Sequence, residues 1–457
     1  MNLAQKIAQF ACNIEFDDIP IHAVNEAKRR FLDTLGCLMG GWLSEPAKIA
    51  RHLAADVQTT EKGATLYGTR YLVPPELAAF ANGTAIQYLD YNDTYLSKEP
   101  AHPSDNIAAL LAIAEAFELD GQDLIKGIIV SYEVQCRLCD AFSIRKRGWD
   151  HVTYGAYSTA AGCGAMLGFD EETMLHALSL SGAPNNALRQ TRVGELSMWR
   201  ASAFANASRN GVFATLLAYQ GMTGPTEIFE GEMGFFNIVS QEKFNIPKFG
   251  GGNTPFMIHQ THIKKYPAEY HSQSAIEAAF KINKEHGRTF LPDEIQEVLI
   301  KTFTTAYEII GSESEKWSPK SRETADHSLP YITCAALVDG FIKKESFDEF
   351  RYTDNNLLSL LAKTKVIVEP EFDDLYPVAG IPTEVIVKLR NGSIYQHRVD
   401  APTGHALNPM TNEESVAKFY ALAKPMLSFE AIETLVVEID DLEEVEDISG
   451  MMSLLEV

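Results

Sequence analysis

Apolar residues recur at helical spacing from the start of the chain to about residue 262. The period predicts helices over 24–38, 75–88, 104–117, 121–141, 153–167, 171–181 and 201–219. Several of these runs carry Ala, Gly and Leu on more than one face, as helices packed inside a large bundle do. Gly221-Met222-Thr223-Gly224-Pro225 then breaks the pattern, and 243–253, with Pro247 and three glycines from Gly250, marks the approach to a domain boundary. After Pro267 the period changes. A helix over 271–284 precedes strand-like stretches at 298–302, 365–368, 383–389 and 393–399, with Asn391-Gly392 as a hairpin turn between the last two. Past Pro402 the helical pattern returns over 413–427 and runs into an acidic tail. The expected fold class is therefore mainly α with a smaller α+β second domain.

Composition narrows the function. With 457 residues and 46% apolar content the chain can bury a large core. No apolar run reaches the length of a membrane span, and the N-terminus has no basic segment leading a long apolar one, so a soluble, cytoplasmic protein is expected. Lys and Arg number 39 against 62 Asp and Glu, a net charge of −23, which argues against nucleic acid or an anionic membrane as partner. Six scattered cysteines make no disulfide framework and no cluster for an iron–sulfur centre. Cys136 and Cys139 have the spacing of a redox or metal pair but lie in a predicted helix without a second pair. The run Gly250-Gly251-Gly252 lacks the strand–turn–helix context of a nucleotide site.

The densest chemistry lies in Leu89-Asp90-Tyr91-Asn92-Asp93-Thr94-Tyr95 and the following His102-Pro103-Ser104-Asp105-Asn106. Pro103 disfavours helical geometry at His102 and Ser104 can cap the next amides, so His102 is placed at a helix N-terminus, where an imidazole tends to stay neutral and able to accept a proton. His151, Lys264 and Tyr331 occupy the same kind of position before or at predicted helix starts. If the fold gathers these starts, their unpaired N–H groups form a carboxylate-binding basin in an otherwise acidic protein. Arg200, Lys264 and Lys265 are the candidate cations for it. Asp90, Asp93, His102 and Asp105 together also offer oxygen and nitrogen ligands for a metal, at irregular spacing. Asp326 and His327 read as an ordinary helix-start pair.

These segments, with Gly194-Glu195-Leu196-Ser197-Met198-Trp199-Arg200, Lys264-Lys265-Tyr266-Pro267-Ala268-Glu269-Tyr270-His271-Ser272-Gln273, Arg322-Glu323-Thr324-Ala325-Asp326-His327-Ser328-Leu329-Pro330-Tyr331 and Asn408-Pro409-Met410-Thr411, resemble the MmgE/PrpD family, which includes 2-methylcitrate dehydratase and cis-aconitate decarboxylase. The match is more like the dehydratase branch. The resemblance implies a large helical domain from both chain ends, 1–262 and 401–457, an inserted α+β lid domain, 263–400, and an active site in the cleft between them. It implies a homodimer and a reaction on a small tricarboxylate without metal or other cofactor. It places Asp90, Thr94, His102, His151, Arg200, Lys264 and Tyr331 at the active site, with Asn206, His271 and Gln273 as weaker members. Relatives commonly carry Lys where this chain has Arg200. Arginine keeps the charge and adds a fork suited to carboxylates, but it does not donate its proton. The mechanism so implied is dehydration of 2-methylcitrate. His102 is the base, Asp90 orients it or holds its tautomer, Arg200 and Lys264 stabilise the carboxylate charge, and His151 or Tyr331 protonates the departing hydroxyl. A decarboxylase or isomerase of a related polycarboxylate, or an idle polycarboxylate-binding scaffold, are the other readings.

Overall fold

The computed structural model describes residues 1–59 and 61–457. Helix α1 (Leu3–Asn13) starts at Asn2, whose side chain accepts from the Gln5 amide while Gln5 returns the bond. Then come α2 (Ile21–Gly41), α3 (Glu45–Ala55) and α4 (Pro75–Tyr88). After these follow α5 (Ile107–Ala116), α6 (Gly121–Ala141), α7 (Val152–Met166), α8 (Glu171–Gly182) and α9 (Trp199–Tyr219). Asp120 and Asp170 start α6 and α8 by accepting from the amides of Asp123 and Thr173. Every residue of α5 and α7 is buried, which is why neither has a polar face.

Small residues let these helices approach. A Cβ on Gly83 of α4 would stand 3.1 Å from the Ala205 Cβ of α9, and one on Gly162 of α7 would stand 2.9 Å from the Gly127 carbonyl of α6. Among the described residues, no helix is long and apolar enough to cross a membrane. Cys136 and Cys139 are free and buried inside α6, where burial pushes both thiols well above their usual range.

Strands β1 (Ala64–Thr65) and β2 (Leu72–Val73) form a short antiparallel pair. The main sheet contains β3 (Ile295–Thr302), β4 (Thr364–Val368), β5 (Thr383–Leu389) and β6 (Ile394–Val399) in the order β4-β3-β5-β6. The β3 and β4 strands run parallel and the other pairs antiparallel. Gly392 takes the left-handed conformation (φ 92°) that the predicted hairpin requires. On β5, Thr383, Val385, Val387 and Leu389 are buried, the alternation of a sheet with one face on a core. That core includes the Gln273–His286 and Leu329–Asp339 helices.

The largest apolar cluster runs from Leu3 to Ile258 and resumes from Phe419 to Leu455. Both ends of the chain therefore share one core, with the Asn412–Ala423 helix packed on α2. A second cluster gathers Ala268 to Val399. A small third one joins Leu96, from the loop after α4, to Tyr270, Phe303, Ala306, Phe372 and Ile381.

Two expectations near the chemistry need correction. The helix predicted from Ser104 begins as a 3-10 turn, Pro103–Asn106, before α5. Lys264 is not at a helix start: the next turn is at Tyr270–Ser272 and the helix begins at Gln273. Residues around it bond elsewhere, His262 with Thr94 and Ile263 with Gly404.

Candidate active site

The site begins where α4 ends. Asp90 adopts a left-handed backbone (φ 49°), a conformation costing an ordinary residue about 1–2 kcal/mol. It turns both the carbonyl and the carboxylate of Asp90 toward Lys264, whose Nζ donates to them over 2.7 and 2.9 Å. Arg200 Nη2 lies 2.7 Å from the same carboxylate oxygen, and His327 Nε2 lies 3.8 Å from the other. Asp90, Arg200 and Lys264 are all buried. Burial alone would raise the Asp90 pKa, but Arg200 and Lys264 hold it well below the carboxylate range. Burial in turn opposes the Arg200 charge, and Asp90 and Asp326 outweigh it, raising that pKa. Arg200 Nε and Nη1 have no hydrogen-bond partner among the described residues.

The C-terminal part of the chain secures Lys264. Lys418 Nζ donates to its carbonyl over 2.8 Å, and the Ile263 amide donates to Gly404 over 3.0 Å. Gly404 is left-handed (φ 93°), and a Cβ there would sit 1.9 Å from the Ile263 carbonyl oxygen.

The loop beyond Asp90 folds into a narrow hairpin. Thr94 exchanges two backbone bonds with His262 (2.8 and 2.7 Å), and Tyr95 exchanges two with Ala101 (2.8 and 3.0 Å). His102 follows directly. Its Nδ1 stands 2.8 Å from the Asp93 carbonyl and 3.2 Å from Thr94 Oγ1. A carbonyl can only accept, so Nδ1 carries the hydrogen and Nε2 keeps its lone pair. Burial, reinforced by Lys264, pushes His102 well below the usual histidine range and leaves it neutral at pH 7. The expectation that Asp90 holds this tautomer is thereby corrected: the Asp93 carbonyl does so, because the Asp90 carboxylate is engaged by the two cations.

A cavity of about 110 Å³ opens beside these groups, walled by residues from 90–200 and from 269–327. Asp90, Thr94, His102, His151, Arg200 and His271 all line it. The His151 ring stands 5.7 Å from that of His102, and its buried Nδ1 has no hydrogen-bond partner among the described residues. Burial, followed by Arg192, Arg200 and Arg189, pushes His151 well below the usual range. His271 is held by Glu269, Nδ1 to Oε1 at 2.6 Å.

Four further cations reach the wall: Arg145, Arg189, Arg192 and Lys316. Arg192 Nε bonds Asp150 over 2.9 and 3.1 Å, while Arg145 and Arg189 form no ion pair among the described residues. Among the described residues, no three His, Cys, Asp or Glu side chains are grouped to hold a metal ion. The set Asp90, Asp93, His102 and Asp105 does not converge. Asp93 accepts from the Ser104 amide and Asp105 from Asn92, while His102 Nδ1 is committed to a carbonyl.

Comparison with known proteins sets this geometry in a family. Residues 5–247 match the MmgE/PrpD N-terminal domain and residues 266–443 the MmgE/PrpD C-terminal domain. The chain belongs to the MmgE/PrpD family. It is 29% identical to the cis-aconitate decarboxylase of Homo sapiens, over 94% of this chain and 90% of that protein. It is 28% identical to the 2-methylcitrate dehydratase of Escherichia coli (strain K12), over 84% and 82%, and 27% identical to the mitochondrial 2-methylcitrate dehydratase of Yarrowia lipolytica, over 88% and 80%. Identities this close do not separate the two named activities.

Several residues of this MmgE/PrpD chain lie elsewhere than expected. Tyr331 sits in the second core, its hydroxyl donating to the Ser346 carbonyl over 2.5 Å, because the first turn of its helix is covered by the 343–347 segment. Gln273 bonds Tyr266 and Ala268, stapling the turn before its helix. Asn206 lies nearly two turns along α9 from Arg200 and does not line the cavity. Lys265 pairs instead with Glu414 at 3.0 Å. Conversely, His327 is no mere helix-start residue: Asp326 Oδ1 holds its Nδ1 at 2.6 Å and it lines the cavity. Glu99, Arg145, Arg189, Arg192 and Lys316 were also missed. The pairing Arg189-x-x-Arg192 beside a recognised motif, in a chain short of cations, is the one signal that could have pointed to them.

Proposed function

We propose that this protein is a lyase that dehydrates 2-methylcitrate to 2-methyl-cis-aconitate without a metal, with citrate as the next candidate substrate. The observation that carries the reading is a neutral His102 with a free Nε2 beside a cation-rich wall in a protein of net charge −23. A tricarboxylate brings up to three negative charges. Arg145, Arg189 and Arg192 offer guanidinium donors to them. His102 Nε2 takes the proton from the carbon next to a carboxylate. Arg200, backed by Lys264 through Asp90, stabilises the charge that develops on that carboxylate. His151, whose ring stands 5.7 Å from that of His102, holds the substrate hydroxyl.

Residues 1–262 with 401–457, and 263–400, are taken as the two domains that close this site. Exposed Leu188, Val193, Met198 and Trp199, on the loop that carries Arg189 and Arg192, offer a face for the expected homodimer.

The test is to incubate chelator-treated protein with 2-methylcitrate and follow the absorbance of a conjugated alkene, identifying the product by mass. Loss of water is the expected result. A second reading, decarboxylation of cis-aconitate, is favoured by the high coverage of the human decarboxylase. Carbon dioxide release from cis-aconitate, with 2-methylcitrate left intact, would replace the first reading with the second.

A further inference from the structure

A departing hydroxyl needs a proton, and neither donor expected for it is set to supply one. His151 is neutral in the resting protein, and Tyr331 lies in the second core with its hydroxyl engaged. Glu99 is another titratable group on the cavity wall.

Its position is built. Glu99 belongs to the hairpin closed by Tyr95 and Ala101, and its amide donates to the Cys139 carbonyl over 3.2 Å. Its Oε2 accepts from Ser143 Oγ (2.8 Å) and from the Arg145 amide (3.1 Å). Oε1 accepts no hydrogen bond among the described residues, although the residue is only 1% exposed. One oxygen is thus anchored, while the other belongs to a side chain that lines the reaction space.

Resting on the lyase reading above, we propose that Glu99 is the general acid that protonates the departing hydroxyl. His102 Nε2 takes the proton from carbon, and the C–H electron pair becomes the double bond. The C–O bond breaks with its pair on oxygen, the Glu99 proton joins that oxygen, and water leaves. Glu99 ends as a carboxylate and His102 as an imidazolium, and transfer of one proton between them through solvent restores both.

The electrostatics support the starting state. Burial pushes the Glu99 carboxyl up to about 7 against the lowering by the Arg145 amide and the Ser143 hydroxyl. Asp150 raises it and Arg145 lowers it. A bound tricarboxylate adds negative charge to the same wall and favours the protonated acid further.

The experiment measures the pH dependence of kcat and kcat/KM for wild type, Glu99→Gln and Ser143→Ala. Glu99→Gln should lose about 10²–10⁴-fold in kcat, with KM within about threefold, and its remaining activity should lack the alkaline fall seen in wild type. Ser143→Ala removes a bond to the ionised carboxylate, so its alkaline limb should move up by about half a pH unit. A Glu99→Gln protein with kcat within about threefold of wild type, or with the alkaline limb unmoved, overturns the proposal. If that variant does not fold, a fixed limb in Ser143→Ala overturns it instead. Wild type that is active while Glu99→Gln is unchanged removes Glu99 alone. Wild type that leaves 2-methylcitrate intact, whether or not it turns over cis-aconitate, removes the dehydration reading and the proposal with it.

Discussion

Two cationic regions face the same cavity and are arranged differently. In the inner one, Arg200 and Lys264 close on Asp90 at 2.7 and 2.9 Å, all three buried. Along the outer wall, Arg145 and Arg189 are half-buried and unpaired among the described residues, and Arg192 shares only Nε with Asp150. A buried cation must be compensated by its own protein, because desolvating a lone charge costs several kcal/mol. A partly solvated one can wait for a ligand. The inner cations therefore set the shape and field of the site, whereas the outer ones have donors left for a substrate. Counting basic residues does not reveal this difference; their partners do.

The sharpest way to break the comparison is Asp90→Ala. It leaves Arg200 and Lys264 buried without their counter-charge, so urea unfolding should show a loss of about 3–5 kcal/mol together with loss of turnover. A loss under about 1 kcal/mol would mean that the inner cluster is not self-compensating.

Next in size is His102→Ala, which should lower kcat by about 10²–10⁴-fold while citrate still raises the melting temperature. Because the His102 pKa is depressed, wild-type kcat/KM should keep its base down to pH values well below 6.5, losing it only as pH falls through the folded value. An acid limb at or above pH 6.5 would point to another base.

On the outer wall, Arg189→Ala should weaken apparent substrate affinity about tenfold, the scale of one charge-assisted bond, with kcat retained and stability changed by less than about 0.5 kcal/mol. Loss of stability without loss of affinity would make the outer wall structural too. The smallest effect belongs to Tyr331→Phe. Removing the bond to Ser346 should cost about 1 kcal/mol in unfolding experiments and leave kcat unchanged.

Much of the helical framework could be read locally. The α4 and α6 helices run over Pro75–Tyr88 and Gly121–Ala141, the predicted spans, because a proline and a capping aspartate start them. The Asn391-Gly392 hairpin and the strands around it are equally local. The terminal segment after Pro402 was legible as helix, but not its hold on Lys264 through Lys418 and Gly404.

Within the site, the contrast between His151 and Tyr331 is instructive. Both stand at helix starts, and periodicity cannot distinguish them. Only packing turns the start of α7 toward the cavity and covers the first turn of the Leu329–Asp339 helix with residues 343–347. His327 beside Asp90, or Glu99 anchored by Ser143, likewise depends on contacts between separate segments.

The helical and strand periods and the placing of His102 after Asp90 at a helix entrance are legible without the fold, since each rests on neighbours within a few turns of chain, and the family is legible from motifs spread between Leu89 and Thr411. The tertiary structure alone decided which cations are compensated, which nitrogen of His102 carries the hydrogen, and which acids and bases share one cavity. Electrostatic compensation and desolvation depend on distances of a few ångströms between segments that can lie more than a hundred residues apart, and only folding sets those distances.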